Sequence, residues 1–381
     1  MSDGGEVDPM RDLGLVEDKE FVCEPQGIVT PANTARDLCE HFIPNGGKLF
    51  DLVERYDAIT TLVLNNSGAD NGTLRYMAPF LKAYGATDYT VSRFFSENIP
   101  YNGSAGSAME YLENLMPVFM DSMVYEHAAD VICESTGVPL DVCGSTPMEL
   151  DTCSMAPVEA REIRRIAADI VKLRMPKDEY EEGTPLELDR DEVRLVNVLD
   201  GVFHDRFKTY AAYELIENTA AVGLSEKAYA LLDIRKSTQV DLDGIMYAGS
   251  ESTDFQALDL VAESGGLALS FNGTEAAVHG SSVALIDDDC TSLAFIGSVF
   301  FDTGVQGVID LADNWNRSYL STASVPDPNI RDHLLAMHPK KLPELYVLNE
   351  DNVHQVATRS DKYRRKLMKQ AKLRAAKPAS A

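Results

Sequence analysis

Three short apolar segments, residues 21–23, 116–120 and 245–249, are each followed at once by polar residues, and this repeated pattern constrains the fold more than any other feature. Short apolar runs bounded by turn-forming residues are typical of buried strands. Open α/β sheets bind their ligands at the carboxyl ends of the strands. The sequence therefore predicts an α/β fold in which the side chains that follow these segments meet at one edge of a parallel sheet.

The first segment ends in a carboxylate. Glu24 follows the apolar run, and residues 25–27 (Pro, Gln, Gly) form the tight loop expected after a strand. Thr30 followed by Pro31 predicts a helix start, with the threonine as N-cap and the helix running to about His41. Taken alone, this stretch favours an ordinary strand-to-helix turn, so the functional interpretation depends on the later segments.

Those segments add a hydroxyl, an ammonium group and further acids. Ser122 ends the second segment, Lys227 lies in the first turn of a predicted helix, and the polar cluster 250–254 follows the third segment. In this order the four elements resemble the signature of the haloacid dehalogenase (HAD) superfamily of phosphotransferases. Three further stretches are similar to an archaeal branch described as phosphoserine-phosphatase-like or as subunit R of energy-converting hydrogenase A: residues 37–47, 78–88 and 252–258.

The resemblance covers about residues 20–355 and implies a domain organisation. It implies a HAD-like Rossmannoid parallel sheet with a helical cap and a helical insertion. The expected parts are an α/β core at 19–30, 99–154 and 225–355, a helical cap at 31–98, a helical insertion at 155–224 and a basic tail at 356–381.

The resemblance also implies roles for individual residues. In the superfamily an Asp attacks phosphorus, an acid two residues later protonates the leaving group, a hydroxyl and a lysine hold the phosphoryl oxygens, and carboxylates hold Mg²⁺. Such a transfer depends mainly on positioning and charge neutralisation. Carried over, the catalytic positions are Glu24, Gln26 and Lys227, the substrate-binding positions are Ser122 and Lys227, and the metal positions are Glu24, Ser250, Glu251 and Asp254.

Three of these positions depart from the superfamily pattern. Glu24 keeps the charge but adds one methylene, and a displacement near 1 Å can cost on the order of 10²-fold in rate. Gln26 cannot transfer a proton, a loss of roughly 10²–10⁴-fold. Ser250 replaces a carboxylate that a hard cation needs. We therefore expect Mg²⁺ binding to be weak or lost.

Three hypotheses about function remain open when the sequence alone is considered. The first is a phosphatase-family protein with degenerate motifs, weak or inactive, that serves as a phosphate-ligand-binding or regulatory component. The second is a Mg²⁺-dependent phosphomonoesterase with Glu24 as nucleophile. The third is an interaction subunit indifferent to phosphate. The sequence identifies no substrate beyond a phosphorylated small molecule.

The charge of the chain excludes one class of partner. Sixty-one acids against 34 basic residues give a net charge of −27, which argues against nucleic-acid binding because phosphate contacts need clustered Lys and Arg. The same excess of acids suits a salt-rich, halophilic cytoplasm, since screening by salt removes the self-repulsion of the chain.

Location is predicted from cysteine use and hydropathy. Six scattered cysteines without a Cys-x-x-Cys pair suit reduced thiols in a cytoplasmic protein. The acidic start lacks the features of a signal peptide, and no apolar run approaches about 20 residues, so no membrane span is expected. If the hydrogenase resemblance holds, the chain is a peripheral partner of a membrane hydrogenase complex.

Two further stretches carry expectations of their own. Between Arg359 and Lys377 nine basic residues stand against one acid, a block that predicts a helix or a disordered arm docked on the acidic body, on an anionic membrane surface or on an acidic partner. Three adjacent acids, residues 287–289, look like a metal site but are interpreted as a solvated loop. The helical insertion is expected to pack on the core or on a second chain.

Overall fold

A computed structural model describes residues 18–63, 72–176, 188–219 and 224–375. These residues include a six-stranded sheet of order β2-β1-β3-β4-β5-β6, in which only β6 runs antiparallel to its neighbour. The strands are β1 (Glu20–Cys23), β2 (Val118–Met120), β3 (Ile245–Gly249), β4 (Leu267–Phe271), β5 (Val283–Ile286) and β6 (Glu344–Val347). The predicted α/β class, with a mostly parallel sheet, is confirmed.

The register of the three strands that carry the sequence pattern brings their ends together. Cys23, the last residue of β1, pairs with Met120 of β2 on one side and with Ala248 of β3 on the other. Because the three strands are parallel, the residues that follow them leave the same edge of the sheet side by side. Glu24 and Asp121 are therefore neighbours at this edge, although about a hundred residues separate them in the chain.

Besides the single irregular turn Pro25–Ile28, sixteen α-helices surround the sheet in the described part of the chain. The first nine are α1 (Thr34–Phe42), α2 (Gly46–Ala58), α3 (Gly72–Ala83), α4 (Asp88–Asn98), α5 (Ala105–Glu113), α6 (Glu126–Thr136), α7 (Pro157–Ile170), α8 (Arg190–Asp200) and α9 (Tyr213–Asn218). The others are α10 (Leu224–Thr238), α11 (Phe255–Glu263), α12 (Glu275–His279), α13 (Thr291–Asp313), α14 (Arg317–Leu320), α15 (Pro328–Met337) and α16 (Val353–Ala375).

Successive side chains of each strand point to opposite faces of the sheet, and both faces are buried. Val22 and Tyr247 point to the face covered by α10 and α11, where Leu258 and Val261 complete a compact cluster. Phe21 and its neighbours in the other strands point to the larger core beneath α5 and α13. Burial on both faces explains why these strands read as continuous apolar runs.

The predicted cap and insertion are helical, and they pack on each other. The apolar stripe of α7 that the sequence shows is buried, with Ile163, Ile166 and Ile170 at most 1% exposed. Helices α7 and α9 lie against α3, and α8 lies against α2, so the two predicted helical regions pack against each other. Parts of both predicted regions lie outside the described residues, namely 64–71 of the cap and 177–187 and 220–223 of the insertion.

Two local expectations were wrong. The first cap helix starts at Thr34 rather than at Pro31, because Asn33 is the N-cap and its Oδ1 accepts a hydrogen bond from Arg36 N at 2.9 Å. The prolines between Ser324 and Pro343 predict a connection without a helix, but this stretch contains α15, in which Pro328 occupies the tolerated first turn.

The basic tail is a helix that docks on the acidic body of the same chain. In α16, Arg364 forms an ion pair with Glu251, and Lys372 pairs with Asp37 at 3.2 Å and Glu40 at 2.7 Å. Near its start, α16 packs its buried Val356 against the sheet side of α12. Of the docking sites considered from the sequence, the protein's own surface is the one occupied; residues 376–381 lie outside the described residues.

Helix α13 bears on the expected absence of a membrane span. It is 23 residues long and apolar enough to cross a membrane when judged by length and composition, and 56% of the most apolar window is buried inside the protein. Leu293 and Phe295 belong to the main core. The buried core helix of a globular domain passes the same test. Helix α13 is therefore only weak evidence for or against a membrane span.

Candidate functional site: a buried acid–lysine cluster at the sheet edge

Glu24 and Lys227 meet at the carboxyl edge of the sheet. Lys227 projects from the first turn of α10, and its Nζ donates a hydrogen bond to Glu24 Oε2 at 2.5 Å. The turn that follows β1 fixes the other oxygen, because Gln26 N donates to Glu24 Oε1 at 2.9 Å. Both side chains are buried, so this ion pair is shielded from water.

Asp254 completes the contacts of the ammonium group. Its Oδ1 accepts from Lys227 Nζ at 2.5 Å, and its Oδ2 accepts from the backbone N–H groups of Ser250 and Glu251 at 2.7 and 2.8 Å. The short 3₁₀ turn Ser252–Asp254 after β3 places the carboxylate there. The structure therefore brings Glu24, Lys227 and Asp254 together as the sequence predicted.

Sequence reasoning missed two members of the cluster, Asp121 and Tyr247. Tyr247 Oη lies 3.3 Å from Asp121 Oδ2 and 3.3 Å from Asp254 Oδ1, so one hydroxyl links the two acids. A signal for Asp121 was present, because it directly precedes Ser122 at the end of β2. Tyr247 lies inside an apolar strand and gave no such signal.

Ser122 and Gln26 lie at the edge of the cluster with their side chains engaged elsewhere. Ser122 is fully buried, and its Oγ accepts from Val124 N at 3.1 Å, which shapes the turn after β2. The next amide, Met123 N, lies 3.4 Å from Glu24 Oε2. Gln26 Oε1 accepts from Thr34 N at 3.2 Å, so this side-chain amide caps the start of α1.

Ser250 and Glu251 depart from the cluster in different ways. Ser250 is buried beside Gly27, and a Cβ added at Gly27 would come within 2.3 Å of the serine side chain. The backbone of Gly27 has a φ of 92°, which favours glycine there. Glu251 accepts two hydrogen bonds from Arg364 of the tail helix at 2.6 and 2.5 Å, so its carboxylate is held by α16 rather than by the cluster.

The electrostatics of the cluster follow from three carboxyls that share one ammonium group. Burial raises the pKa of Glu24, and Lys227 opposes this only in part. Burial also raises the pKa of Asp121 to about 7. Burial acts to lower the pKa of Lys227, but Asp254 and Glu24 outweigh it and raise that pKa above its usual range. Lys227 therefore stays protonated, while Glu24 and Asp121 are not both fully ionised near neutral pH.

The donor set fits a hard divalent cation in charge and in ligand type. Ionised, the three carboxylates exceed the lysine by two negative charges, and carboxylate oxygens are the ligands that Mg²⁺ prefers. Glu24, Asp121 and Asp254 are the side chains that would hold such an ion. Ser250 contributes only a neutral hydroxyl, whose Oγ lies 3.4 Å from Asn272 O.

The cluster is closed in this conformation. Glu24 is 1% exposed, and Lys227 and Asp254 are fully buried. A cavity of about 620 Å³ lies nearby, between the loop at Asn102 and helix α16, and none of the predicted site residues lines it. Asn102 Nδ2 donates to Gly27 O and Ile28 O, so the wall of this cavity is tied to the turn that covers Glu24.

Of the three acids at residues 287–289, which were expected to form a solvated loop, Asp288 is exposed but the other two are buried. Asp287 and Asp289 are 3% and 6% exposed. Asp287 accepts from Ser292 Oγ at 2.6 Å, and Asp289 accepts from Thr291 N at 2.8 Å, so both carboxylates stabilise the turn into α13. The hydroxyl and amide donors that follow them in the sequence account for this structural role.

Comparison with known proteins bears on the fold alone. No protein-family profile and no curated protein matches the chain. Among solved structures, the gene product AF1437 from Archaeoglobus fulgidus is similar over 96% of this chain and 100% of its own length, with a TM-score of 0.72 and 20% sequence identity. At this level of identity, the likeness shows that the two chains share the α/β architecture described above.

Proposed function

We propose that this chain is a HAD-like, phosphatase-family protein with degenerate catalytic residues, which binds a phosphorylated small molecule with little or no hydrolysis. The observation that carries the proposal is the convergence of Glu24, Lys227 and Asp254 at one sheet edge, at 2.5 Å from each carboxylate to the ammonium group. Phosphoryl binding requires fixed positive charge, which Lys227 supplies, and carboxylates at strand ends can hold a Mg²⁺ ion that adds more. Regulation by the bound ligand, including a peripheral role beside a membrane hydrogenase, belongs to the same proposal.

Each residue has a defined task in this proposal. Lys227 faces the phosphoryl oxygens, and Ser122 offers a hydroxyl once its hydrogen bond to the turn is exchanged. Glu24, Asp121 and Asp254 would hold Mg²⁺, whose contribution when bound is to neutralise phosphate charge that three carboxylates would otherwise repel. The turn at Pro25–Ile28 has to move for a ligand to enter, because Glu24 is almost fully buried beneath it.

Weak turnover is expected because catalytic positions of this chain differ from the superfamily pattern. The Gln26 amide caps α1 and cannot donate a proton to a leaving group. Glu24 Oε2 is bound to Lys227, which lowers its nucleophilicity, and Oε1 is bound to Gln26 N. The extra methylene of Glu24 displaces its oxygens relative to an aspartate at the same position.

A Mg²⁺-dependent phosphomonoesterase that uses Glu24 as nucleophile is the second candidate. It is favoured by Asp121, a third carboxyl next to Glu24 whose pKa of about 7 would let it hold or release a proton near neutral pH. In this candidate Asp121 would replace Gln26 as the acid, and Glu24 and Asp254 alone would supply the carboxylates that hold Mg²⁺.

Hydrolysis of p-nitrophenyl phosphate with Mg²⁺ at high salt separates the two candidates. The proposal expects no turnover above background in the wild type, in Glu24→Gln or in the exposed control Glu97→Gln. Turnover that Glu24→Gln abolishes and Glu97→Gln preserves would establish the esterase instead. The triple variant Glu24→Asp, Gln26→Glu and Ser250→Asp restores the superfamily residues and is expected to create activity.

A further inference from the structure

A second group of ligand-type side chains lies on the surface, where helix α16 crosses α12. It consists of Glu275, His279 and His354, which we call the histidine trio, and all three side chains are exposed. One ligand atom from each lies within 4.8 Å of the other two. The imidazole rings of His279 and His354 lie side by side, with 4.9 Å between centroids and a tilt of 58°.

We propose that the histidine trio is a surface zinc site. Two imidazole nitrogens and one carboxylate are a donor set that suits Zn²⁺ and leaves a fourth position for water. Bond lengths near 2.0–2.1 Å place tetrahedral ligand atoms about 3.3 Å apart. Because all three side chains are exposed, rotation about their side-chain bonds is the movement that would bring the ligand atoms to this spacing.

The backbone around the trio is already fixed. Glu275 and His279 are four residues apart on α12, so they share one face of this helix. Val278, next to His279, is fully buried and belongs to one apolar cluster with Val356 and Ala357 of α16, which follow His354. This packing sets the positions from which the three side chains extend, and such pre-organisation lowers the entropic cost of binding an ion.

A zinc ion bound by the histidine trio would link the first turn of α16 to α12. Further along α16, Arg364 holds Glu251, and Leu367, Gln370 and Ala371 line the cavity of about 620 Å³. A metal ion bound by His354 would therefore stabilise the docked position of the whole tail helix. This inference does not depend on the proposed phosphate site, and its test uses metal binding rather than activity.

The test is titration of the full chain with Zn²⁺ by calorimetry, with Co²⁺ as a spectroscopic probe of tetrahedral coordination. We expect one equivalent of Zn²⁺ to bind, and a tetrahedral Co²⁺ spectrum that Zn²⁺ displaces. Loss of a hydrogen-bond partner of a metal ligand typically costs about 10–100-fold in affinity, so His279→Ala and His354→Ala should each cost at least ~10-fold. Glu275→Gln should also weaken binding, while Mg²⁺ should not compete.

The matched control is His333→Ala, which removes an exposed histidine outside the trio and should leave zinc affinity unchanged. Each variant should fold, because the substituted side chains are exposed. Far-UV circular dichroism checks this. Failure of the wild type to bind Zn²⁺ would overturn the proposal. So would binding that survives both trio histidine substitutions, because the ion would then sit elsewhere, for example on cysteines.

Discussion

Glu24 and Lys227 are 203 residues apart in the chain and form a buried ion pair, with 2.5 Å between Oε2 and Nζ. Neither residue would be tolerated alone in this environment, because an isolated buried charge is strongly destabilising. The pair therefore ties the end of β1 to the start of α10 and sets the electrostatics of the whole sheet edge.

Substitution of Lys227 is expected to destabilise the fold and to do so in a pH-dependent way. Lys227→Met leaves Glu24 and Asp254 buried without a cation, and breaking a buried pair typically costs about 3–5 kcal/mol. Urea unfolding should show a smaller loss at pH 5 than at pH 8, because the unpaired carboxyls are more readily protonated at the lower pH. Lys236→Met, an exposed substitution on the same helix, should change stability by less than about 0.5 kcal/mol. Equal losses for the two variants would show that the pair is unimportant.

Asp121 is expected to make stability fall as pH rises. Its folded pKa of about 7 lies above the usual 3.8, so the native state binds the extra proton between about pH 4 and 7. The stabilisation is complete below pH 4 and is lost as the pH passes 7. Asp121→Asn removes this dependence, so its free energy of unfolding relative to wild type should rise between pH 4 and 8 by up to about 4 kcal/mol. Asp130→Asn, at an exposed acid, should show no such rise.

Two glycines with the same backbone angle provide a matched test of the packing over the site. Gly27 and Gly85 both have a φ of 92°, but a Cβ would meet Ser250 at 2.3 Å in the first and nothing within 4 Å in the second. Gly85→Ala should cost about 1–2 kcal/mol from backbone strain alone. Gly27→Ala should cost a further 1–3 kcal/mol, roughly, from overpacking. Similar melting temperatures for the two variants would mean that the turn over Glu24 is not tightly packed.

The tail helix is expected to depend on Arg364. Its side chain is 15% exposed and holds Glu251, whereas neighbouring Arg365 is 77% exposed. Arg364→Met should lower the free energy of opening of α16 by about 1–3 kcal/mol, because Glu251 loses its partner while partly buried. Hydrogen exchange of the α16 amides measures this opening, and Arg365→Met, which loses only an i,i+4 pair with Asp361, should change it by no more than about 0.5 kcal/mol. Unaltered exchange in Arg364→Met would locate the anchor of the helix elsewhere.

The sequence predicted the parts of the site whose chemistry follows local patterns. Apolar runs followed by polar residues located β1, β2 and β3, and the parallel pairing of β1 with β3 placed Glu24 and Asp254 together. Lys227 was predicted because it begins a helix after the insertion. In each case, the local residue type and its place after a strand or at a helix start carried the information.

Other features depended on contacts between distant segments, which no local pattern encodes. Glu251 was predicted to be a metal ligand, but its carboxylate accepts hydrogen bonds from Arg364, 113 residues later in the chain. Asp287 was interpreted as solvated because adjacent acids usually are, yet Ser292 and the turn into α13 bury it. The edge strand β6 was missed because its half-buried residues lack a continuous apolar run.

Calorimetric titration of the full chain with inorganic phosphate, with and without Mg²⁺, tests the central claim most directly. The account predicts saturable binding to the wild type and to Glu97→Gln in the presence of Mg²⁺, and at least ~10-fold weaker binding to Glu24→Gln, since each 1.4 kcal/mol of lost interaction changes affinity tenfold. Absence of phosphate binding by the wild type, or identical affinity in Glu24→Gln, would contradict it.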